Sequence, residues 1–334
     1  MRFSHLIVVP VVLSVTAAGC GWDTAEPTPA PTMMGKPFSP YSHEDEPFAQ
    51  ELFNEQASLP MIEDGELEFL PGDYDAKFTH VKRFERRSLV TSQDGPTIWF
   101  FGGSTLFGIG QRDEHTIPSE VARLAASEDT PVQVSTFGFP SFASWQEAGL
   151  MRRVLAERSK PDLVVFYHGV NDYGVICRQL ALGITPNGLG NPLREPQPEV
   201  PKVQCNANPI RTGRLVAAAV SRAMNDARAS LGDTPVIEFW QPFAATRRST
   251  ASDGPLLEAL GLDEEGRKVQ ASPYRAALRY IDQTPVDLTD ALDTYEGPVF
   301  FDWAHTNEVG AQLVAKAMWE RSLRAAVGEL QPTQ

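Results

Sequence analysis

From residue 97 onward, short apolar runs alternate with segments of helical periodicity, and this alternation restricts the chain to few folds. The runs are rich in β-branched and aromatic residues, which is typical of buried strands. Strands alternating with helices predict a parallel sheet covered by helices. The predicted strands are Thr97–Phe101, Val132–Phe137, Asp162–His168, Pro235–Trp240 and Val286–Leu288. The predicted helices are Ile117–Ala126, Ser144–Arg158, Leu215–Leu231, Pro273–Ile281 and a last one beginning near Thr306 or Asn307.

The first of these strands ends abruptly in Gly102-Gly103-Ser104-Thr105. A serine at the carboxyl end of a strand lies at the edge of an open α/β sheet where ligands usually bind. Neighbouring glycines let backbone N–H groups approach a substrate oxygen. The stretch therefore predicts a nucleophile, although a glycine turn capped by Ser or Thr would look the same.

Three further stretches fall where the sheet would present side chains at the same edge, and they carry the groups that a nucleophilic serine needs. A serine hydroxyl needs a base, histidine titrates near neutrality, and a carboxylate fixes the imidazole tautomer. Ser104 is thus the candidate nucleophile, His305 the base and Asp302 its orienting partner. Donors to a developing oxyanion would be the backbone N–H of Ser104 and Gly138 and the side-chain amide of Asn171.

The combined set resembles the SGNH (GDSL-like) hydrolase superfamily over about residues 93–327. Its four sequence blocks match Gly102–Thr105, Gly138, the G-x-N-D of Gly169–Asp172 and the D-x-x-H of Asp302–His305. The resemblance implies a three-layer α/β/α sandwich with a flavodoxin-like parallel sheet. It also implies a serine esterase that forms a covalent acyl-enzyme on a carbohydrate- or lipid-linked ester, and that needs no metal or organic cofactor.

Two departures from that family limit what can be carried over. Gly103 replaces the acidic residue of the G-D-S form, and no asparagine lies near Gly138 in the second block. The substrate therefore does not follow from the resemblance. An O-acyltransferase acting on a cell-surface glycan, or a non-catalytic surface-binding module with the same fold, remains an alternative. His168 borders the set without an assigned role.

The N-terminal residues 1–19 are typical of an export signal. Arg2 precedes an apolar core, Leu6–Val15, which is too short to span a bilayer as a helix. The small residues before Cys20 resemble a bacterial lipobox, with Ala17 where leucine is usual. This predicts a protein that is lipid-anchored through Cys20 in the cell envelope, facing the periplasm or exterior. A plain secretory signal is the alternative.

The rest of the chain divides by composition. Residues 20–60 are predicted to be a proline-rich flexible tether, 61–93 a β-rich extension, 94–327 the hydrolase domain with an insertion at 173–212, and 328–334 a tail. The insertion holds Cys177 and Cys205, a pair expected to form a disulfide in an exported protein, with two free thiols as the alternative.

The acidic net charge of the chain argues against nucleic acid as a partner. The formal net charge is −14, and nucleic-acid binding needs clusters of Lys and Arg. No Cys/His cluster has the spacing of a zinc site. The expected partners are a small-molecule or glycan ester and, through the lipid, a membrane.

Overall fold

The computed structural model describes residues 46–190, 205–248 and 251–331. The predicted signal, the lipidation site Cys20 and most of the predicted tether lie outside the described residues. Among the described residues, no helix is long and apolar enough to cross a membrane.

An eight-stranded sheet in the order β10-β9-β8-β6-β7-β5-β4-β3 forms the centre of the fold, beside a separate β1–β2 hairpin. The strands are β1 (Met61–Asp64), β2 (Glu68–Pro71), β3 (Tyr74–Asp75), β4 (His80–Lys82), β5 (Glu85–Arg86), β6 (Thr97–Gly102), β7 (Gln133–Gly138), β8 (Leu163–His168), β9 (Val236–Trp240) and β10 (Val286–Asp287). Strands β10, β9, β8, β6 and β7 are parallel to one another. In chain order these five strands have the flavodoxin-like arrangement, as predicted, and the order reverses beside β6.

Helices pack on both faces of this sheet. They are α1 (Glu46–Gln56), α2 (Ser104–Phe107), α3 (Ile117–Ser127), α4 (Ser144–Glu157), α5 (Val170–Ala181), α6 (Pro209–Leu231), α7 (Gly254–Ala259), α8 (Glu264–Ala277), α9 (Glu308–Met318) and α10 (Arg324–Leu330). A π-helical turn, Trp319–Leu323, joins the last two. Asn307 caps α9 as expected, since its side chain accepts a hydrogen bond from the Gly310 N–H at 2.9 Å.

Two apolar cores, one on each face of the sheet, make the predicted three layers. Successive side chains of a strand point to opposite faces. Trp99 and Phe101 of β6 pack with helices α4, α6 and α8, whereas Ile98 and Phe100 pack with α3, α9 and α10. Because both faces are covered, β8 is buried along its whole length.

The prediction of a flexible tether over 20–60 is wrong for its last part. Helix α1 occupies Glu46–Gln56, and Ala49 and Leu52 on one face of it are almost fully buried. The prolines that suggested an extended chain lie upstream or at the start of this helix, so they do not interrupt it. The segment that follows holds strands β1 to β5, and β5 joins it to the main sheet by pairing antiparallel with β7 at Arg86 and Thr136.

Three other boundaries differ from the sequence predictions. The expected insertion at 173–212 begins inside helix α5 and ends inside α6, because its glycines and prolines cluster only after Ala181. Helix α8 begins at Glu264 rather than Pro273, since the Asp263 side chain caps it by accepting from the Gly266 N–H at 2.7 Å. The predicted tail is helical as far as Leu330.

The expected disulfide between Cys177 and Cys205 is formed. It links the middle of α5 to the residues just before α6, with the two Cα atoms 4.9 Å apart and 28 residues apart in sequence. It therefore closes the segment that leaves the sheet between β8 and β9. On the chain-entropy relation, closing a loop of this size contributes roughly 3–4 kcal/mol to stability.

Candidate active site

Ser104 is the first residue of the short helix α2, directly after the central strand β6. The first N–H groups of a helix have no partner within the helix, so those of α2 point away from it at the sheet edge. The helix ends after one turn at Gly108, whose φ of 88° lies in the left-handed region. The serine is thus held on a tight strand-to-helix turn and is largely buried.

The three predicted members of a catalytic triad lie in hydrogen-bond contact. His305 Nε2 is 2.7 Å from Ser104 Oγ, and His305 Nδ1 is 2.6 Å from Asp302 Oδ2. The serine and histidine are 201 positions apart in sequence, so the contact depends on the tertiary fold. This geometry lets the imidazole take the serine proton while the carboxylate fixes its tautomer.

The Asp302 carboxylate also organises the loop that carries the histidine. Its Oδ1 accepts hydrogen bonds from the backbone N–H groups of Ala304 at 2.8 Å and His305 at 2.7 Å. Across the same loop the Phe301 N–H donates to the His305 carbonyl at 3.2 Å. Each carboxylate oxygen therefore has a defined partner, and the imidazole is presented on a closed turn.

Asn171 lies in the first turn of α5, and its amide reaches the residue before the serine. Its Nδ2 donates one hydrogen bond to the Phe142 carbonyl at 2.8 Å, which leaves a second N–H on the same nitrogen. A Cβ at Gly103 would lie only 2.4 Å from that nitrogen and 3.1 Å from the Phe142 oxygen. The absence of a side chain at Gly103 therefore lets the Asn171 amide approach the turn before Ser104.

Gly138, at the end of β7, packs closely against helix α2. It pairs in register with Gly102, and a Cβ there would lie 2.4 Å from the Phe107 backbone nitrogen. The glycine thus lets α2 fold down against β7. Its role as an oxyanion donor stays a prediction.

Ser141 is a candidate site residue that the sequence did not indicate. It lies in the loop after β7 beside Phe142, is buried, and has a φ of 67°. Left-handed backbone at a residue other than glycine is uncommon, and strained residues often cluster at functional sites. The only signal in the sequence is the turn-forming Pro140-Ser141 pair after a strand, which does not distinguish it from an ordinary loop.

His168 lies at the end of β8 but points into a buried group of charges rather than to Ser104. Its Nδ1 is 3.3 Å from Glu147 of α4, and its Nε2 is 3.6 Å from Glu238 of β9. Arg228 of α6 forms an ion pair with Glu238. Burial alone would lower the pKa of His168, but the two carboxylates outweigh it and raise that pKa to about 10.

The same buried group continues to the start of α5. Burial raises the pKa of Glu147 to about 7 against the lowering effect of His168, and burial also raises the pKa of Asp172. The Asp172 carboxylate accepts hydrogen bonds from the Ser144 N–H at 3.1 Å and hydroxyl at 2.6 Å. The cluster thus ties α4 to the helix turn that carries Asn171.

In the described part of the chain, no group of three or more His, Cys, Asp or Glu side chains has a geometry that could hold a metal ion. Cys177 and Cys205 are bonded to each other in the disulfide.

Comparisons with known proteins give likenesses in fold. No known protein-family model matches the chain, and no curated protein sequence matches it. Among solved structures the chain is similar to a lipase/acylhydrolase from Enterococcus faecalis, with 21% identity, a TM-score of 0.39, and coverage of 72% of this chain and 99% of that one. It is also similar to a Clostridium thermocellum family 3 carbohydrate esterase, with 14% identity, a TM-score of 0.41, and coverage of 71% and 100%.

A third similar structure is an acetyl xylan esterase, with 16% identity, a TM-score of 0.39, and coverage of 68% of this chain and 100% of that one. These likenesses concern the α/β fold with its mostly parallel central sheet flanked by helices. The chemistry of the site is argued below from the chain's own residues.

We predict that the buried charge cluster makes stability fall as pH rises. Because the folded-state pKa of His168 is about 10 against an ordinary 6.5, its contribution is fully present below about pH 6.5 and is lost as pH rises through about 10. The free energy of unfolding, measured by denaturant titration, should fall more steeply between these pH values for wild type than for His168→Gln. His115→Gln removes a histidine outside the cluster and is the control. Equal slopes for wild type and His168→Gln would contradict the prediction.

Proposed function

We propose that the protein is a serine esterase that cleaves an ester through a covalent acyl-enzyme. The observation that carries this proposal is the continuous hydrogen-bond chain from Ser104 Oγ to His305 Nε2 at 2.7 Å and from His305 Nδ1 to Asp302 Oδ2 at 2.6 Å. A serine hydroxyl becomes a nucleophile only with such a base, and a histidine is a base only in the correct tautomer.

In the proposed reaction, Ser104 Oγ attacks the ester carbonyl carbon while His305 Nε2 takes its proton. Asp302 stabilises the imidazolium that forms. His305 then gives the proton to the departing alkoxide, so the alcohol leaves and the acyl group stays on Ser104. Water, deprotonated by the same imidazole, attacks the acyl-enzyme and releases the carboxylic acid and free Ser104.

The tetrahedral intermediate needs donors that already face its oxygen. We propose the Ser104 N–H at the start of α2 and the second N–H of Asn171 Nδ2 for this role. The contact of Nδ2 with the position of the Gly103 Cβ, at 2.4 Å, supports the second donor. Gly138 was the third donor expected from the sequence. The backbone N–H groups around Ser141, which follow strand β7 as Gly138 ends it, are the other candidate donors to the oxyanion at this edge of the sheet.

The acyl acceptor distinguishes the esterase from its nearest alternative. An O-acyltransferase on a cell-surface glycan would form the same acyl-enzyme but pass the acyl group to a sugar hydroxyl. We favour water because it needs no further binding site. The partition of product between water and added sugar alcohols measures the acceptor directly.

We also propose that the protein is lipid-anchored in the cell envelope through Cys20, so that the esterase acts on a carbohydrate- or lipid-linked ester there. The support is the signal-like sequence of residues 1–19 and the small residues before the cysteine. The disulfide between Cys177 and Cys205 also supports export, because structural disulfides persist in oxidising compartments.

A fluorophosphonate probe should label the wild-type protein on Ser104, detected as a mass increase of the intact protein and located by peptide mapping. Ser104→Ala should not be labelled, and Ser127→Ala, which removes an exposed hydroxyl on α3, should be labelled at the wild-type rate. His305→Gln should react at least about a hundredfold more slowly because the hydroxyl has lost its base. An unlabelled wild type that is shown to be folded would refute the esterase proposal.

Gly103→Ala should lower kcat for an ester substrate by about 10²–10³, since its Cβ would displace the Asn171 amide from the oxyanion. The backbone at Gly103, with φ −82° and ψ −157°, accepts alanine, so the contact is the main effect. Gly174→Ala is the matched control, because it lies on the same helix as Asn171 with nothing within 4 Å of its Cβ position. A wild-type kcat for Gly103→Ala would show that Asn171 is not a donor.

Replacing Cys20 with serine should release the protein from the membrane fraction of cells that express it. The lipid forms on the cysteine sulfur, which serine lacks. Wild type and a Cys177→Ser/Cys205→Ser variant, which keeps Cys20, should both stay in the membrane fraction on blotting. Membrane retention of Cys20→Ser would rule out the lipid anchor.

A further inference from the structure

Two hydrogen bonds hold the ring nitrogens of His305, and the Cβ–Cγ bond holds its third corner. Asp302 holds Nδ1 and Ser104 holds Nε2, and these atoms lie on opposite sides of the imidazole. Neither hydrogen bond touches a face of the ring. A contact made against a face of the ring would further restrict its tilting.

Phe301 makes that contact. Its ring lies parallel to the imidazole of His305, with an interplanar angle of 10° and a centroid distance of 5.7 Å, which is an offset stack. Phe301 is itself buried, and its backbone N–H donates to the carbonyl of His305. The phenylalanine thus contacts the histidine through both its ring and its backbone.

Phe301 also contacts a residue of the N-terminal helix α1. The ring of Phe53 meets Phe301 edge to face, with centroids 4.9 Å apart and an angle of 81°. Gly110 completes the packing, because a Cβ there would lie 2.5 Å from Phe301 and 3.1 Å from Phe53. Phe301 is therefore packed closely by Phe53 and Gly110 as well as by the imidazole.

Helix α1 is fixed to the loop after the nucleophile turn by a buried side chain, Gln56. Its Nε2 donates to the carbonyls of Gly108 at 3.2 Å and Gln111 at 3.1 Å, and its Oε1 accepts from the Gly110 N–H at 2.7 Å. Gln111 in turn donates to the Thr306 carbonyl at 2.9 Å, one residue after the histidine. The helix is thus held against the serine side and the histidine side of the site together.

We propose that Phe301 is a positioning residue for the catalytic base, and that Phe53 of α1 holds Phe301 against the imidazole. The inference rests on the proposed function, since it concerns the geometry of the same serine–histidine pair. It gives one residue of the N-terminal helix, Phe53, an indirect role in positioning the base. A small rotation of a base costs rate steeply, because proton transfer depends on the alignment of donor and acceptor.

The test compares Phe53→Leu and Phe301→Leu with Phe48→Leu in the full chain. Phe48 lies on the same helix and packs edge to face on Phe78 with centroids 5.2 Å apart, so its loss perturbs α1 without touching the stack on His305. Phe53→Leu and Phe301→Leu should each lower kcat and the rate of fluorophosphonate labelling by about tenfold, with KM changed less than about twofold. Phe48→Leu should keep the wild-type kcat.

The double variant Phe53→Leu/Phe301→Leu should be no slower than Phe301→Leu alone, because Phe53 acts through Phe301. A wild-type kcat for Phe53→Leu, or an equal loss for Phe48→Leu, would overturn the inference. Neither result would affect the esterase proposal, which depends on labelling of the wild type.

A measurement without catalysis separates the two proposals further. In protein labelled with ¹⁵N-histidine, the ring resonances of His305, assigned with His305→Gln, report its position relative to Phe301. They should shift in Phe53→Leu and stay unchanged in Phe48→Leu. Unchanged resonances in Phe53→Leu would overturn the positioning role even if the wild type proved inactive.

Discussion

The site depends on close backbone packing at the carboxyl ends of β6 and β7. A side chain at Gly138 would overlap the Phe107 backbone nitrogen, and one at Gly103 would overlap the Asn171 amide, each at 2.4 Å. Without those side chains, α2 folds over the end of the sheet and brings Ser104 to the point where the strand order reverses. Crevices at such points are the usual ligand sites of open α/β sheets, since the loops on either side diverge there.

The sequence predicted those parts of the site whose signals are local. The hydrogen bond between Asp302 and His305 joins residues three positions apart, and asparagine is a preferred helix N-cap. Both features can therefore be predicted from a short stretch of sequence. The contact between Ser104 and His305 was expected from the family resemblance, because His305 lies in the loop before the last helices and not at the end of a strand. Gly103 was interpreted as a departure from a family pattern, whereas the structure gives it a steric reason.

Helix α1 could not be predicted in the same way. Its apolar face is buried against residues far away in sequence, and the proline-rich chain before it dominates the local composition. Helices of this length are marginal alone and gain most of their stability from packing. Ser141 presents a similar case, because a backbone φ of 67° is imposed by the surrounding loop and not by serine itself.

A buried ion pair shows how closely the N-terminal extension is joined to the nucleophile turn. Arg86 of β5 is fully buried and pairs with Asp113 at 2.9 Å, although burial disfavours its charge and lowers its pKa. Its remaining donors reach the carbonyls of Phe107, Gly108 and Gln111, which follow Ser104 directly. Removing two charges from water is costly unless their hydrogen bonds are satisfied, and here the acceptors are the backbone of the site loop. A strand needed only to cover β7 would not require such a pair, so the extension and the turn at Ser104 form one packed unit.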